Sequence, residues 1–335
     1  YFPLFLKLVA WNGVMLEKPF LTLLPGLMAP GSFLPLFPAL VDLPTLVLAL
    51  EKSEWISGSL PGNSADFIQK SQTPENLLQL MDEAYTGSTI EDRGGDSGDE
   101  NIGSRGDADA LFLDLLKDEN DGLAERHWTS QGMAATLQAA MGSAQSERLK
   151  QAFQVAPRLV EAYFRIALRD VNNSLICALI PLIMARNDAL FLDLKFASEI
   201  QKRLLEFMLS AFQQSPHFIS LLKKPIMDRI GEVYDSRAKT ELAMQLCWAI
   251  GEHGGGGISH KDVARELFEG LELLLYENLS SSRLALNNNM VGNYGGAILK
   301  KSGQARFLCF VVTAIAKLAT YHRELIPRAR VCLAK

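Results

Sequence analysis

Side chains that could bind zinc lie on both sides of a glycine run. Cys247, His253 and His260 carry thiol and imidazole groups of the kind that zinc prefers, and Glu252 adds a carboxylate. Cys247, however, falls in the middle of a predicted helix. The two histidines flank glycines that do not pre-arrange ligands. The pattern therefore predicts structural roles for these side chains and no metal site.

The glycine run Gly254–Gly257 is the second feature with possible chemistry. A phosphate-binding loop follows a strand and ends in Gly-Lys-Ser/Thr, which supplies charge and a magnesium ligand. Here a predicted helix precedes the run and the sequence ISHK follows it. The run is therefore predicted to be a flexible linker between helices rather than a nucleotide site.

Motifs for nucleophilic or metal-assisted hydrolysis are missing from the sequence, which contains neither Gly-x-Ser-x-Gly nor His-Glu-x-x-His. Acidic residues are plentiful, but they fall on predicted helix faces or in one loop. No two of them can be paired across the fold from the sequence. We therefore expect no catalytic residues, no cofactor and no small-molecule substrate.

The four cysteines form neither a disulfide framework nor a zinc finger, because no two lie close together. Each one is surrounded by Leu, Ile, Val or Ala, which favours a buried free thiol. Free thiols indicate a reducing, cytosolic compartment. The four are Cys177, Cys247, Cys309 and Cys332.

Hydrophobic periodicity predicts helices throughout. The chain has 335 residues, of which 48% are hydrophobic, enough for a sizeable core. Between Ala197 and Phe212 apolar side chains recur every three or four positions, and a second such pattern starts at Val263. Ser215-Pro216 resembles a helix start, and Pro225 is expected to end that helix. We find no alternating strand pattern, so the expected fold is all-α, built from helical hairpins.

A charge-free stretch from Phe20 to Val41 is long enough to span a bilayer but contains four prolines. Each internal proline costs a helix about 3 kcal/mol, so two or three short buried helices are expected instead. The apolar run 307–316 is shorter than a membrane span requires.

Composition divides the chain into three parts. Residues 1–52 form a predicted helical solenoid segment, and residues 53–110 a predicted irregular linker. The stretch 91–110 within this linker is rich in Gly, Asp and Ser, which predicts an acidic disordered loop. Residues 111–335 form a second predicted solenoid segment, with variable loops at 254–258 and 280–304.

A helix ending supplies the sharpest sequence signature. Trp248-Ala249-Ile250-Gly251-Glu252 resembles the Trp-x-Ile-Gly-Glu motif in the trunks of adaptor-complex large subunits. We expect Trp248 to be buried between stacked hairpins, Ile250 to pack in the core and Gly251 to permit close helix approach. His253 departs from the aromatic residue that often follows in that family.

Further segments extend this resemblance, in order, over nearly all of the chain. On them the sequence is similar to the zeta subunits of the fifth adaptor-protein complex. The segments are 2–12, 20–25, 39–46, 170–176, 318–319 and 324–330.

The resemblance implies an α-solenoid of armadillo/HEAT-like hairpins that serves as a non-enzymatic scaffold within a heterotetramer. It implies a second large, a medium and a small adaptor subunit as partners, together with spatacsin and spastizin. It also implies a cytoplasmic protein recruited peripherally to late endosome and lysosome membranes, with a role in vesicle-mediated protein transport.

A helical-repeat factor in nucleic-acid repair is the alternative function. Such a protein needs a basic face for phosphates. The formal net charge of -5 speaks against nucleic acid as a partner.

Overall fold

The computed structural model describes residues 2–58, 118–119, 122–123, 146–233, 236–256, 261–288 and 294–334. Within these ranges the chain forms thirteen α-helices, one short 3-10 helix at Arg323–Leu325 and one pair of two-residue strands. The elements are α1 Phe2–Trp11, α2 Gly13–Leu27, α3 Pro30–Val41, α4 Leu43–Gly58, β1 Asp118–Glu119, β2 Gly122–Leu123, α5 Glu147–Asp170, α6 Asn173–Arg186, α7 Leu194–Gln214, α8 His217–Leu221, α9 Lys223–Gly231, α10 Arg237–His253, α11 Lys261–Asn288, α12 Tyr294–Tyr321 and α13 Ile326–Leu333.

Helix starts and helix faces follow the sequence pattern. Asn12, Asn172 and Ser236 each accept a hydrogen bond from the backbone N–H three residues on, which satisfies a donor that the first helical turn leaves free. Along α7 the predicted apolar stripe faces inward, and the periodicity argument is confirmed there. The fully buried members of that stripe are Ile200, Leu204, Met208 and Phe212.

The structure divides into two compact units, and the first comprises Tyr1–Asp170 and Ala189–Arg203. In this unit α5 packs against α2, α3 and α4. The ring of Tyr163 on α5 stacks on Phe33 of α3 at 5.2 Å between centroids, and Phe37 lies 6.2 Å from Tyr163. The Tyr163 hydroxyl donates a hydrogen bond to the carbonyl oxygen of Phe33 at 2.8 Å. Burial raises the pKa of Tyr163 well above its ordinary value.

The proline-rich stretch 20–41 lies in α2 and α3, which confirms the prediction of short helices there. Pro19 and Pro25 lie inside α2, and Pro35 and Pro38 lie inside α3. Much of α3 is buried, whereas several side chains of α2 are exposed.

A two-residue antiparallel strand pair belongs to the same unit, a difference from the expectation that no strand would form. Asp118 pairs with Leu123, and Glu119 pairs with Gly122. β2 contacts α1 and α3. The pairing is too short to give an alternating hydrophobic pattern, so periodicity could not predict it.

The second unit comprises Val171–Asp188 and Leu204–Lys335. Its most extensive helix contact joins α10 and α12, and α11 packs on α12 as well. Arg229 of α9 lies 3.1 Å from Asp188 and 3.0 Å from Glu232, and Lys239 of α10 lies 3.0 Å from Glu232. These charges connect α9 to α10 at the surface of the unit.

One helix among the described residues is long and apolar enough to span a membrane by length and composition, over Gly303–Tyr321. The bent pair Pro30–Val41 and Leu43–Glu51 passes the same test if it is one span, across a 67° bend. The expectation that the apolar run 307–316 is too short to span a membrane is therefore wrong for the helix that contains it, because this helix extends beyond the run at both ends. Phe307, Val311 and Ile315 are buried within the second unit, and 33% of the apolar window is buried in total.

Several predicted boundaries differ from the structure. α4 continues to Gly58, beyond the expected start of the linker at residue 53. Helix occupies both ends of the stretch 280–304, because its Leu, Ala, Lys and Arg residues favour helix over loop. One boundary is confirmed: α8, the helix that follows Ser215-Pro216, ends at Leu221, ahead of Pro225, which lies in the first turn of α9. The predicted acidic loop 91–110 lies outside the described residues.

Candidate functional site

The predicted motif lies on the last two turns of α10. Ile250 is fully buried, together with Ala249 and Leu246, which confirms its expected place in the core. These side chains belong to the unit in which α10 packs on α12. The motif is therefore first of all a helix-packing motif.

Gly251 lies at a close approach between α10 and α12. A methyl group added at Gly251 would lie 3.1 Å from the Cα of Ala314 and 3.4 Å from the Cδ of Lys317. Few side chains tolerate a contact of 3.1 Å with a backbone atom, so glycine is the residue that fits here. The expectation that Gly251 permits a close helix approach is confirmed.

Two ion pairs connect α10 to α12 at opposite ends of this contact. Glu252 pairs with Lys317, and Glu241 lies 3.9 Å from Arg306. In both pairs the partners are 65 positions apart in the sequence. A constant offset means that α10 and α12 run in the same direction, with α11 between them in the chain. Such an arrangement is typical of equivalent helices in consecutive helical hairpins.

Trp248 lies on the outer side of this helix pair and is 38% exposed. The expectation that it is buried between hairpins is therefore wrong, because the apolar periodicity of α10 does not reveal which side of the helix lacks a covering neighbour. The indole lines a half-open, mainly apolar cavity of about 150 Å³ between α10 and α12. The cavity is also lined by Cys247, Gly251, Cys309, Phe310, Thr313, Ala314 and Lys317.

His253 ends α10 beside Trp248. The two rings meet edge to face, with 5.9 Å between their centroids. The Nε2 atom of His253 is buried and has no hydrogen-bond partner among the described residues. Burial lowers the pKa of His253, the carboxylate of Glu252 raises it and the ammonium of Lys317 lowers it. The net lowering of the pKa favours the neutral form of the imidazole.

Gly254 and Gly255, the first glycines of the run, form the turn that follows the C-terminus of α10. The N–H of Gly254 donates to the carbonyl oxygen of Ile250 at 2.7 Å. A methyl group added at Gly255 would lie 2.4 Å from the ring of Tyr321, and the Gly255 carbonyl oxygen lies 2.6 Å from Nε2 of the buried His322. Gly256 has a positive φ of 53°. The prediction of a flexible linker is wrong for Gly254 and Gly255, which are buried, and Gly257 lies outside the described residues.

The zinc candidates are not brought together as a ligand set. Cys247 is fully buried, and this burial raises the pKa of its thiol. His260 lies outside the described residues. Within the described part of the chain no group of three or more potential metal-ligating side chains occurs.

The cysteines that the structure describes are free, but their exposure differs. Cys247 and Cys332 are buried as expected, Cys177 is half-buried and Cys309 is exposed on α12. The prediction of burial is wrong for Cys309, because Phe307 and Val311 occupy the buried face of α12 while the Cys309 thiol lies on its exposed face.

A polar cluster between α11 and α13 was not predicted from the sequence. Arg328 pairs with Glu269 at 2.9 Å and also with Glu272, and its guanidinium lies 5.4 Å from the centre of the Phe268 ring. The thiol of Cys332 donates to Glu272 at 3.1 Å. Arginine and glutamate recurring at helical spacing are the only signal that could have indicated this cluster, and they do not specify the partner helix.

The fold and this site define a helical-repeat protein whose distinctive surface is the packing of two parallel helices. A family profile described as "AP-5 complex subunit zeta-1, C-terminal TPR repeats" matches residues 107–335. The chain belongs to this family. The helical-repeat fold is thereby confirmed, although the profile's description speaks of TPR repeats where the sequence suggested armadillo/HEAT-like ones.

Two curated relatives match the whole chain. It is 25% identical over 337 residues to the AP-5 complex subunit zeta-1 of Homo sapiens and 24% identical to that of Mus musculus. The chain spans 36% of the length of each relative. No solved structure matches. Neither relative is named for nucleic-acid repair, so the alternative function gains no support.

Proposed function

We propose that this chain is part of a non-enzymatic scaffold subunit in a heterotetrameric adaptor complex that acts in endosomal vesicle-mediated protein transport. The observation that carries the proposal is membership of the AP-5 zeta-1 family, whose profile covers residues 107–335. Both curated relatives are named as subunits of a complex. The proposal therefore concerns assembly rather than catalysis.

The mechanism of such a subunit is geometric. Parallel helices such as α10 and α12 present their outward side chains at fixed spacing. The Gly251–Ala314 contact and the two flanking ion pairs keep that spacing constant. Binding energy then comes from apolar side chains distributed over a large surface, with charges at the rim. No proton or electron transfer is required of any residue.

The proposed partners are a second large, a medium and a small adaptor subunit, together with spatacsin and spastizin. The proposed location is the cytoplasmic side of late endosome and lysosome membranes, where the protein is held peripherally by its partners. Free cysteines are consistent with this reducing side of the membrane.

Affinity purification of the tagged full-length protein from cells tests the proposal, with co-purifying chains identified by mass spectrometry. We expect the three adaptor subunits, spatacsin and spastizin in the eluate. A Gly251→Leu variant, in which α10 and α12 cannot pack closely, is purified in parallel. It should recover smaller amounts of these partner proteins. Light microscopy of the same tagged protein should show it on late endosomes and lysosomes.

Recovery of DNA-repair proteins without any adaptor subunit would contradict the proposed function and favour the alternative. Recovery of adaptor subunits with the protein dispersed through the cytoplasm would contradict only the proposed location.

A further inference from the structure

The cavity beside Trp248 is an apolar surface without a covering element among the described residues. Trp248 and Cys309 are exposed, Phe310 is half-buried, and all three line the cavity with Thr313. Tryptophan is the side chain most enriched at the centres of protein interfaces, where it supplies a large apolar area at low entropic cost. The cavity therefore has the composition of an anchor site.

The charges around the cavity indicate what can occupy it. Glu241 and Glu252 lie on the α10 side, and Arg306 and Lys317 lie on the α12 side. Each acid is paired with a base across the groove, so the charges are compensated and the floor between them is uncharged. A charged occupant would lose its water without gaining a free counter-ion, which is costly. An uncharged occupant meets no such penalty.

The size of the cavity sets the size of the occupant. It measures about 150 Å³. An apolar cavity of about 150 Å³ holds one benzene-sized group. One leucine, methionine or phenylalanine side chain matches this volume.

We propose that the groove between α10 and α12 is a docking site for a helix of another adaptor subunit, which inserts one uncharged aliphatic or aromatic side chain against Trp248. The proposal rests on the proposed function and specifies the surface and the partner chemistry. A helix fits because the groove runs between two parallel helices and has compensated ion pairs at both ends. Polar residues flanking the inserted side chain would lie over these two pairs.

Cys309 provides an intrinsic reporter for this site, because its thiol is exposed and lines the cavity. The test compares labelling by N-ethylmaleimide in the purified full-length protein and in the complex reconstituted with the second large, medium and small subunits. We expect Cys309 to react about tenfold more slowly in the complex, with quantification by mass spectrometry. Cys177 lies on α6, does not line the cavity and serves as the matched control, whose labelling should not change.

A pair of charge insertions tests the chemistry of the occupant. Thr313→Glu places a carboxylate in the exposed wall of the cavity, and Leu273→Glu places one at an exposed position of α11 outside the cavity. Both positions are open to solvent, so both variants should fold. We expect Thr313→Glu to weaken assembly of the complex about tenfold or more and Leu273→Glu to leave it unchanged.

The outcomes separate this proposal from the function on which it rests. Failure of the wild-type protein to assemble with any adaptor subunit would overturn both. Assembly with Cys309 still fully reactive, or with Thr313→Glu as tight as wild type, would overturn the docking site and leave the proposed function standing.

Discussion

The two units of the chain differ in the side chains that lie between their packed helices, which are large aromatic rings in the first unit and small residues in the second. In the first unit Phe33, Phe37 and Tyr163 fill the space between α3 and α5 with stacked rings. In the second unit Gly251 and Ala314 leave almost no side chain between α10 and α12. Large rings hold one helix pair together through the area they bury, whereas small residues hold the other through backbone proximity. The two contacts should therefore fail under opposite kinds of substitution.

The largest effect is expected from shortening a ring in the first unit. Phe33 is fully buried and stacks on Tyr163, so Phe33→Ala leaves a cavity and should cost about 3–5 kcal/mol of unfolding free energy. Urea denaturation monitored by circular dichroism measures this cost. Leu23→Ala, at a position that is 48% exposed on α2, is the matched control. Equal losses in the two variants would show that the aromatic stack is not the main contact of the unit.

Enlarging a residue in the second unit is expected to have the next largest effect. Gly251→Leu forces a side chain against the backbone of Ala314 and should cost about 3 kcal/mol. Gly303→Leu is the control on α12, because a methyl group added at Gly303 meets nothing within 4 Å. Leucine is the better helix former by about 1 kcal/mol, so this control should be neutral or stabilising. A Gly251→Leu protein with an unchanged melting temperature would contradict the close packing.

A smaller effect is expected when a ring is removed from the second unit. A buried Trp248 would cost about 3–5 kcal/mol on replacement by alanine. Because the indole is 38% exposed, Trp248→Ala should cost only about 1–2 kcal/mol in the isolated protein. Thermal denaturation of the wild-type and Trp248→Ala proteins measures this loss of stability. A loss as large as that of Phe33→Ala would remove the contrast between the two units.

The smallest effect concerns pH. Burial lowers the pKa of His253 in the folded protein, so the unfolded chain binds this proton more readily. Neutral His253 therefore makes its full contribution to the free energy of unfolding above the ordinary pKa of 6.5. This contribution decreases as the pH falls below 6.5. Wild type should lose slightly more stability than His253→Gln between pH 7.5 and about 5.5. Identical pH profiles in urea denaturation would show that the imidazole is freely solvated.

Hydrophobic periodicity predicted the helical class of this fold and helices such as α7, but not the contacts between the helices. The stripe from Ile200 to Phe212 is visible in the sequence because helix geometry repeats every 3.6 residues. The bond between Tyr163 and Phe33 joins residues 130 positions apart, and no local pattern encodes that pairing. For the same reason the sequence identified Gly251 as a packing residue without identifying Ala314 as its partner.

Only the α10 part of the candidate site was identified from the sequence, and neither the orientation of Trp248 nor the lining residues on α12 were predicted. Ile250 and Trp248 are both apolar residues of one helix, yet the first is buried and the second lines a surface cavity. The difference arises from the position of α12, which only the tertiary structure gives. The exposure of Cys309 and the contact of Gly255 with Tyr321 were missed for the same reason, because both depend on residues far away in the chain.

The equal offset of the two ion pairs limits how the length of this protein can vary. Glu241 to Glu252 and Arg306 to Lys317 each span eleven positions, about three helical turns. One residue inserted between Arg306 and Lys317 would rotate every later side chain of α12 by about 100° and separate at least one pair. Insertions and deletions among related genes should therefore be absent from these two intervals.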